Sequence, residues 1–236
     1  MARVSNVSDE SHKISTPLEA LGVIASQYVM LTPTLRHVEM YTMKGLLTAL
    51  WHEPETDLCS VGVVACGGAM GGLLGPGEGL YHELGQVLSE QGVPTLRVSY
   101  RRPNDMDACC VDVAAAVQLL AGSGVERVVI MGHSFGGAVA VRVAVALPEM
   151  VAGVVTFSTQ SAGCEIAGGL NGRPLLLFHG DKDEILPVEA SEVVKAIAGH
   201  GDLHVMSGDG HLLGRSHQTM LDLLVPWLRH VFGLHT

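Results

Sequence analysis

The sequence is poor in charged and in aromatic residues. Of 236 residues, 16% are charged and 4% are Phe, Trp or Tyr, whereas 47% are hydrophobic. Low charge combined with a large apolar fraction excludes a disordered chain and predicts an extensive buried core. Acidic residues outnumber basic ones by 24 to 14, which gives a net charge of −10. Because such a chain repels the phosphate backbone of nucleic acids, we expect no nucleic-acid partner.

Long hydrophobic runs are also missing. The longest apolar stretch, residues 136–147, is interrupted by Arg142 and is shorter than the roughly 20 residues that cross a bilayer, so we expect no membrane span. Residues 1–16 are polar and lack the basic-then-apolar order of a secretory signal. Five cysteines cannot all pair and show no CxxC spacing. We therefore predict free thiols in the cytoplasm, with no bound metal or cofactor.

Short apolar runs alternate with helical patterns along most of the chain. Residues 36–42 and 46–51 flank a turn and predict an antiparallel hairpin. Unbroken apolar runs follow at 61–66, 95–100, 127–131, 151–157, 175–178 and 203–206, and such runs are typical of parallel strands buried on both faces. Helical patterns lie at 81–91, 105–121, 188–198 and 216–232. Only 16 residues separate residue 157 from residue 174, which leaves no room for a cap domain.

These patterns predict an α/β fold with a mostly parallel central sheet, an N-terminal antiparallel hairpin and helices on both faces. We divide the chain into an N-terminal tail with a possible short helix at 1–34 and a single domain at 35–236. A weak apolar stripe over 17–30 predicts that helix, which we expect to lie on the domain surface, where it has the reach to cover a binding site.

A Gly-x-Ser-x-Gly motif at 132–136 follows the run at 127–131 and precedes an apolar helix. Glycines on both sides of Ser134 permit a sharp strand-to-helix turn, which would expose the Ser134 hydroxyl above the sheet at the N-terminus of a helix. The alternative is a purely structural turn in which Ser134 only caps the helix. The context favours a nucleophile.

A serine nucleophile needs a base and an acid that orients the base. His211 follows the last predicted strand in a glycine-flanked loop, and we expect it to act as the base. After the run at 175–178, the carboxylates of Asp181, Asp183 and Glu184 lie close together. We favour Asp183 because it sits in the middle of the loop, where a carboxylate can reach across.

Hydrolysis through a serine also requires N–H donors for the oxyanion. The glycine-rich run at 66–72 follows the first parallel strand and supplies flexible backbone amides. The alternative interpretation of this run is a phosphate-binding loop. The run lacks the Gly-Lys-Ser/Thr ending of such a loop and does not fit the pattern Gly-x-Gly-x-x-Gly. A metal site built from His200, Asp202, His204, His211 and His217 is disfavoured, because their spacing does not place them on one helix face.

The motifs at 132–137, 179–187 and 208–211, with Ser134, Asp183 and His211 in that order, resemble the α/β-hydrolase fold from residue 35 onward. The likeness is to its small, lid-poor, dienelactone-hydrolase-like serine esterases. It implies a catalytic triad of Ser134, Asp183 and His211, and an oxyanion hole formed by Phe135 with Gly68 or Ala69. Dienelactone hydrolases use a cysteine nucleophile, so the resemblance supports the reaction type better than the substrate.

Two functional hypotheses remain from the sequence. The leading one is a serine hydrolase that cleaves a carboxylic ester or thioester of a small or extended acyl substrate. The alternative is a non-catalytic ligand-binding protein on the same fold. Arg101 and Arg102 either bind an anionic group of the substrate or lie in a solvated turn. The oligomeric state is left open.

Overall fold

The computed structural model describes residues 16–55 and 58–234. The strands are β1 (Val23–Thr32), β2 (Leu35–Thr42), β3 (Gly45–His52), β4 (Val61–Cys66), β5 (Thr95–Ser99), β6 (Arg127–His133), β7 (Val151–Phe157), β8 (Leu175–Gly180) and β9 (Asp202–Met206). The sheet order is β1-β2-β3-β5-β4-β6-β7-β8-β9. β1, β2 and β3 pair antiparallel and β3 joins β5 antiparallel, whereas β4 to β9 are parallel. The predicted fold class, with its hairpin and six parallel strands, is confirmed.

The helices are α1 (Pro17–Leu21), α2 (Leu80–Ser89), α3 (Met106–Gly122), α4 (Phe135–Ala146), α5 (Glu189–Ala198) and α6 (His217–Phe232). They cover both faces of the sheet. α3, α4 and α5 pack on one face in one apolar cluster, and α2 and α6 pack on the other face in a second cluster. The central strands β7 and β8 are buried along their whole length. This explains their unbroken apolar sequences.

The N-terminal region differs from our prediction of a helix over 17–30. The helix α1 ends at Leu21, where Gly22 adopts a left-handed conformation, and the following ten residues form β1 instead. β1 pairs with β2, so the sheet extends across the boundary that we placed between residues 34 and 35. α1 packs on α3 and does not line the pocket at Ser134. Residues 1–15 of the predicted tail lie outside the described residues.

The connection between β7 and β8 is short. Between β7 and β8 the chain forms one turn of 3₁₀ helix, Ala167–Leu170, in agreement with the predicted lack of a cap domain. No helix among the described residues is long and apolar enough to cross a membrane. The carboxyl ends of the strands β4, β6, β8 and β9 lie at one edge of the sheet, and this edge carries the residues singled out from the sequence.

Candidate active site

Ser134 lies in a strained turn between β6 and α4. Its backbone has φ 55° and ψ −120°, a region that non-glycine residues rarely occupy. A β-carbon at position 132 would collide with the carbonyl oxygen of Gly136, and one at position 136 would collide with that of Gly67. The two glycines of the motif are therefore required by the close approach of backbone to backbone. The Ser134 N–H donates to the carbonyl of Phe157 at 2.8 Å, which fixes the turn against β7.

Asp183 and His211 are brought together by the loops that follow β8 and β9. His211 Nδ1 donates to Asp183 Oδ2 at 2.8 Å. The other carboxylate oxygen accepts the backbone N–H groups of Ile185 at 2.9 Å and Leu186 at 2.8 Å. Asp183 is buried, and burial alone raises a carboxyl pKa. These N–H groups and the His211 side chain outweigh that effect, so the pKa of Asp183 is lowered below 3.8 and the group is ionised at neutral pH.

A second histidine, which the sequence analysis did not select, also contacts Asp183. His179 at the end of β8 is fully buried. Its Nε2 lies 3.0 Å from the Leu186 carbonyl and 3.2 Å from Asp183 Oδ2. Because both partners accept, this nitrogen carries the proton, and Nδ1 accepts from the Ser191 hydroxyl at 2.7 Å. His179 therefore contacts the same carboxylate oxygen that accepts from His211.

His133, the residue before Ser134, holds the backbone of the other loop. Its Nε2 donates to the carbonyl oxygen of His211 at 3.0 Å, and the two imidazole rings lie 4.9 Å apart between centroids. Burial lowers the pKa of His133 from 6.5 to about 4, so this side chain is neutral at pH 7. From the sequence, His133 and His179 could have been selected as site residues because they lie at the carboxyl ends of β6 and β8.

Ser134 and His211 open into the same pocket, which has a volume of about 520 Å³. Residues 67–75 form one wall, and His133, Ile185 and Leu212 complete the lining. No hydrogen bond joins the Ser134 hydroxyl to His211, and contacts of this kind often form or shorten only when substrate binds. Among the residues lining the pocket in the described chain there is no Asp, Glu, Lys or Arg.

The predicted oxyanion donors surround the serine. Phe135 is the first residue of α4, so its N–H has no partner within the helix. Gly68 and Ala69 line the same pocket as Ser134, and a β-carbon at Gly68 would lie 3.4 Å from that of Ser134. The backbone of the glycine-rich loop thus passes directly beside the serine side chain. Which of the two amides faces an oxyanion stays a prediction.

Buried side chains below the sheet edge hold this loop in place. The Tyr81 hydroxyl donates to the carbonyl of Cys66 at 3.1 Å, and the Tyr100 hydroxyl donates to that of Gly67 at 2.9 Å. Arg97 donates from Nη1 to the carbonyl of Leu73 at 3.1 Å. These three contacts tie both ends of the loop to α2 and β5, so a flexible glycine-rich sequence acquires a defined conformation.

The other sequence-based suggestions do not fall in the pocket. The Arg101 side chain is buried in an ion pair with Asp112, with Nε 2.5 Å from Oδ1. Arg102 is exposed and lies 3.6 Å from Asp105. Neither arginine lines the pocket, so the structure does not support a role for them in binding an anionic substrate group. Within residues 16–55 and 58–234, no group of three His, Cys, Asp or Glu side chains is arranged to hold a metal ion.

Comparison with known proteins agrees with this geometry. The family described as phospholipase/carboxylesterase matches residues 113–227, a segment that contains Ser134, Asp183 and His211. No curated protein has a sequence that matches this chain. This segment of the chain is therefore similar to hydrolases of that family.

Solved structures with the same fold cover most of the chain. Est1E from Butyrivibrio proteoclasticus has a TM-score of 0.68 at 17% identity, over 84% of this chain and 99% of its own. Dienelactone hydrolase from Anabaena variabilis has a TM-score of 0.69 at 17% identity, over 87% and 98%. XC6422 from Xanthomonas campestris, described as a serine hydrolase without lid, has a TM-score of 0.62 at 18% identity, over 86% and 95%. The shared architecture shows that this chain has the α/β-hydrolase fold.

Proposed function

We propose that the protein hydrolyses a carboxylic ester or thioester of a small or extended acyl substrate through an acyl-enzyme on Ser134. The observation that carries this proposal is the convergence of Ser134 and the His211–Asp183 pair on one pocket. A hydroxyl in a strained turn, an imidazole and an ionised buried carboxylate are the parts that acyl transfer through serine requires.

In the first half-reaction, Ser134 Oγ attacks the acyl carbonyl and His211 Nε2 takes the hydroxyl proton. The Asp183–Nδ1 hydrogen bond of 2.8 Å supports this tautomer, because it holds the ring proton on Nδ1 and leaves Nε2 free to accept. The negative charge that develops on the carbonyl oxygen is stabilised by the N–H of Phe135 and that of Gly68 or Ala69. His211 then returns the proton to the departing alkoxide or thiolate as the C–O or C–S bond breaks.

In the second half-reaction, water attacks the acyl-enzyme. His211 takes a proton from the water, a tetrahedral intermediate forms again, and the proton returns to Ser134 Oγ as the carboxylic acid leaves. His133 and His179 position the two partners of this relay through the His211 carbonyl and the Asp183 carboxylate. Each of these two histidines fixes the position of a relay partner without touching the reacting atoms.

The pocket favours an uncharged, apolar acyl group. Its lining carries no full charge from Asp, Glu, Lys or Arg among the described residues, so a carboxylate on the substrate would lose hydration without gaining an ion pair. Four large apolar side chains at its mouth are more than 60% exposed: Met70, Leu74, Ile185 and Leu212. Exposed apolar residues concentrated around one pocket are typical of a binding site.

The nucleophile is tested with a fluorophosphonate probe and with p-nitrophenyl esters. We expect the probe to label Ser134, located by peptide mass spectrometry, and Ser134→Ala to abolish both labelling and turnover. Ser161→Ala, which alters a half-buried serine on a neighbouring loop, is the matched control and should keep both. Turnover by Ser134→Ala would refute the assignment, and saturable ester binding without labelling would favour the non-catalytic binding protein.

The acid is tested by comparing two aspartates of one loop. Asp183→Asn removes the charge and favours the wrong tautomer of His211, and we expect kcat to fall by about 10⁴-fold. Asp181 is exposed and its carboxylate accepts from the Gly208 N–H at 2.6 Å, so Asp181→Asn should stay close to wild type. Equal losses in both variants would contradict the role given to Asp183.

We also propose a reducing compartment, such as the cytoplasm, for this protein. All five cysteines lie in the described part of the chain and are free thiols. Burial raises the pKa of Cys66, Cys109 and Cys164 to about 12, so these thiols stay protonated and unreactive. Equal stability with and without a thiol reductant, measured by thermal unfolding, is the expected result.

A further inference from the structure

The strand β1 forms an unprotected edge of the sheet. It is the first strand in the sheet order and pairs only with β2 among the described strands, so one row of its backbone N–H and C=O groups faces outward. All ten residues of Val23–Thr32 are exposed. Among the described residues, no helix therefore covers either face of this strand. Ten extended residues span about 33 Å, which is long for a free edge.

The sequence of β1 lacks the features that normally prevent edge-to-edge pairing. Natural edges carry lysine or other charges, proline, β-bulges or a very short strand. The pairing of β1 with β2 shifts register near both ends of the strand but is regular over residues 25–30. Val23–Thr32 contains no charged residue and no proline. Large exposed apolar residues are concentrated here instead, namely Val23, Ile24, Tyr28, Val29, Met30 and Leu31. The opposite edge differs, because β9 is only five residues long and begins with Asp202.

From these observations we propose that β1 pairs antiparallel with β1 of a second copy of this chain, which gives a symmetric dimer with one continuous sheet. A strand paired with itself about a two-fold axis is its own complement. Since β1 is uncharged, no like charges come to face each other in any register of that pairing. The acidic groups that make each copy −10 lie elsewhere in the chain.

A groove beside β1 supports a partner strand at this position. It has a volume of about 490 Å³ and lies between α1, α3 and the same edge. Its lining is mostly apolar, with Leu18, Tyr28, Met40 and Leu119, and also includes Ser26 and the acidic Glu19. Side chains on one face of the second copy's strand would enter this groove when the backbones pair. The edge therefore offers both a backbone ladder and a place for side chains.

The mass of the protein in solution tests this pairing. We expect light scattering on a size-exclusion column to give about twice the 24.8 kDa of one chain. Raised salt should increase the dimer fraction, because it screens the repulsion between two acidic copies that meet through an uncharged strand. A monomer at every protein concentration, or an association that salt weakens, would overturn the proposal. In the monomer case, a strand of another protein becomes the occupant of this edge.

Charged substitutions locate the contact. Ser26→Lys combined with Tyr28→Lys places lysines opposite each other when the two-fold axis lies at residue 27 or 28, and we expect a monomer that still unfolds cooperatively. The matched control, Met43→Lys with Val205→Lys, adds the same charge at a turn and on the opposite edge strand and should stay dimeric. The reverse pattern would overturn the proposal.

Hydrogen exchange on the unmodified chain covers the case in which the lysine variant does not fold. Amides of β1 that point outward should be protected at high concentration and lose that protection on dilution. Unprotected outward amides at every concentration would overturn the proposal.

Discussion

The structure predicts a protein whose stability falls steeply in mild acid, because burial lowers the pKa of His52 and of His133 far below 6.5. His52 at the end of β3 is 1% exposed, and its Nε2 has no hydrogen-bond partner in the described part of the chain. Burial lowers the pKa of His52 from 6.5 to about 3, and the nearby Arg97 and His82 lower it further. Burial likewise lowers the pKa of His133 to about 4; His211 and His179 add to this effect, whereas Asp183 and the hydrogen bond to His211 oppose it.

The magnitude follows from proton linkage. Between the unfolded pKa of 6.5 and the lowered folded values, each histidine binds a proton mainly in the unfolded chain, so the free energy of unfolding decreases as the pH falls. From about pH 7 to about pH 5 this removes about 2 kcal/mol for each histidine, or about 4 kcal/mol for the pair. Since domains are stable by roughly 5–15 kcal/mol, that loss is large. The midpoint of thermal unfolding should fall by about 8–16 °C.

The assay is urea unfolding at several pH values, for the wild type and for His52→Gln. Other ionisable groups change the stability of both proteins equally, so the difference between their slopes isolates His52. We expect the variant to lose about 2 kcal/mol less than the wild type between about pH 7 and about pH 5. Ester turnover at neutral pH should be unchanged, because His52 does not line the pocket. Parallel stability curves for the two proteins would refute the reasoning.

Three further predictions concern the site and its support. Gly136→Ala places a methyl group against the Gly67 carbonyl, so we expect it to abolish ester turnover and to lower the thermal unfolding midpoint. Tyr100→Phe leaves that same buried carbonyl without its hydroxyl donor; urea unfolding should show a loss of about 1–3 kcal/mol, and kcat should fall. Arg101→Met leaves the Asp112 carboxylate buried and unpaired and should cost about 3–5 kcal/mol with kcat/KM unchanged, whereas a selective loss for anionic esters would show that Arg101 contacts the substrate.

Much of the fold was predictable from the sequence because its signals are local. β4 and β7 were predicted with the bounds that the structure has, since strands buried on both faces read as continuous apolar runs. The turn at Ser134 was predictable because the glycines of its motif stand next to it in the sequence, although the contact that requires Gly136 is with the distant Gly67 carbonyl. The order of Ser134, Asp183 and His211 at strand ends placed all three at one edge of a parallel sheet.

β1 was mispredicted for a physical reason. Val23–Thr32 has no alternating pattern, because both of its faces are exposed, and a weak helical stripe continued from α1 into it. Only pairing with β2, a contact between different segments, makes it a strand. Propensity is a weak signal when such a contact decides the outcome.

The sequence by itself determined the alternation of strands and helices, the sharp turn at Ser134 and the loops that carry chemistry, because each depends on residues close together in the chain. Only the tertiary structure decided which side chains meet. It placed Asp183 rather than its neighbour Asp181 against His211, and it placed His133 and His179 behind that pair. It also directed Arg101 into an ion pair with Asp112. These outcomes depend on the direction in which each loop leaves the sheet, and packing between distant segments sets that direction.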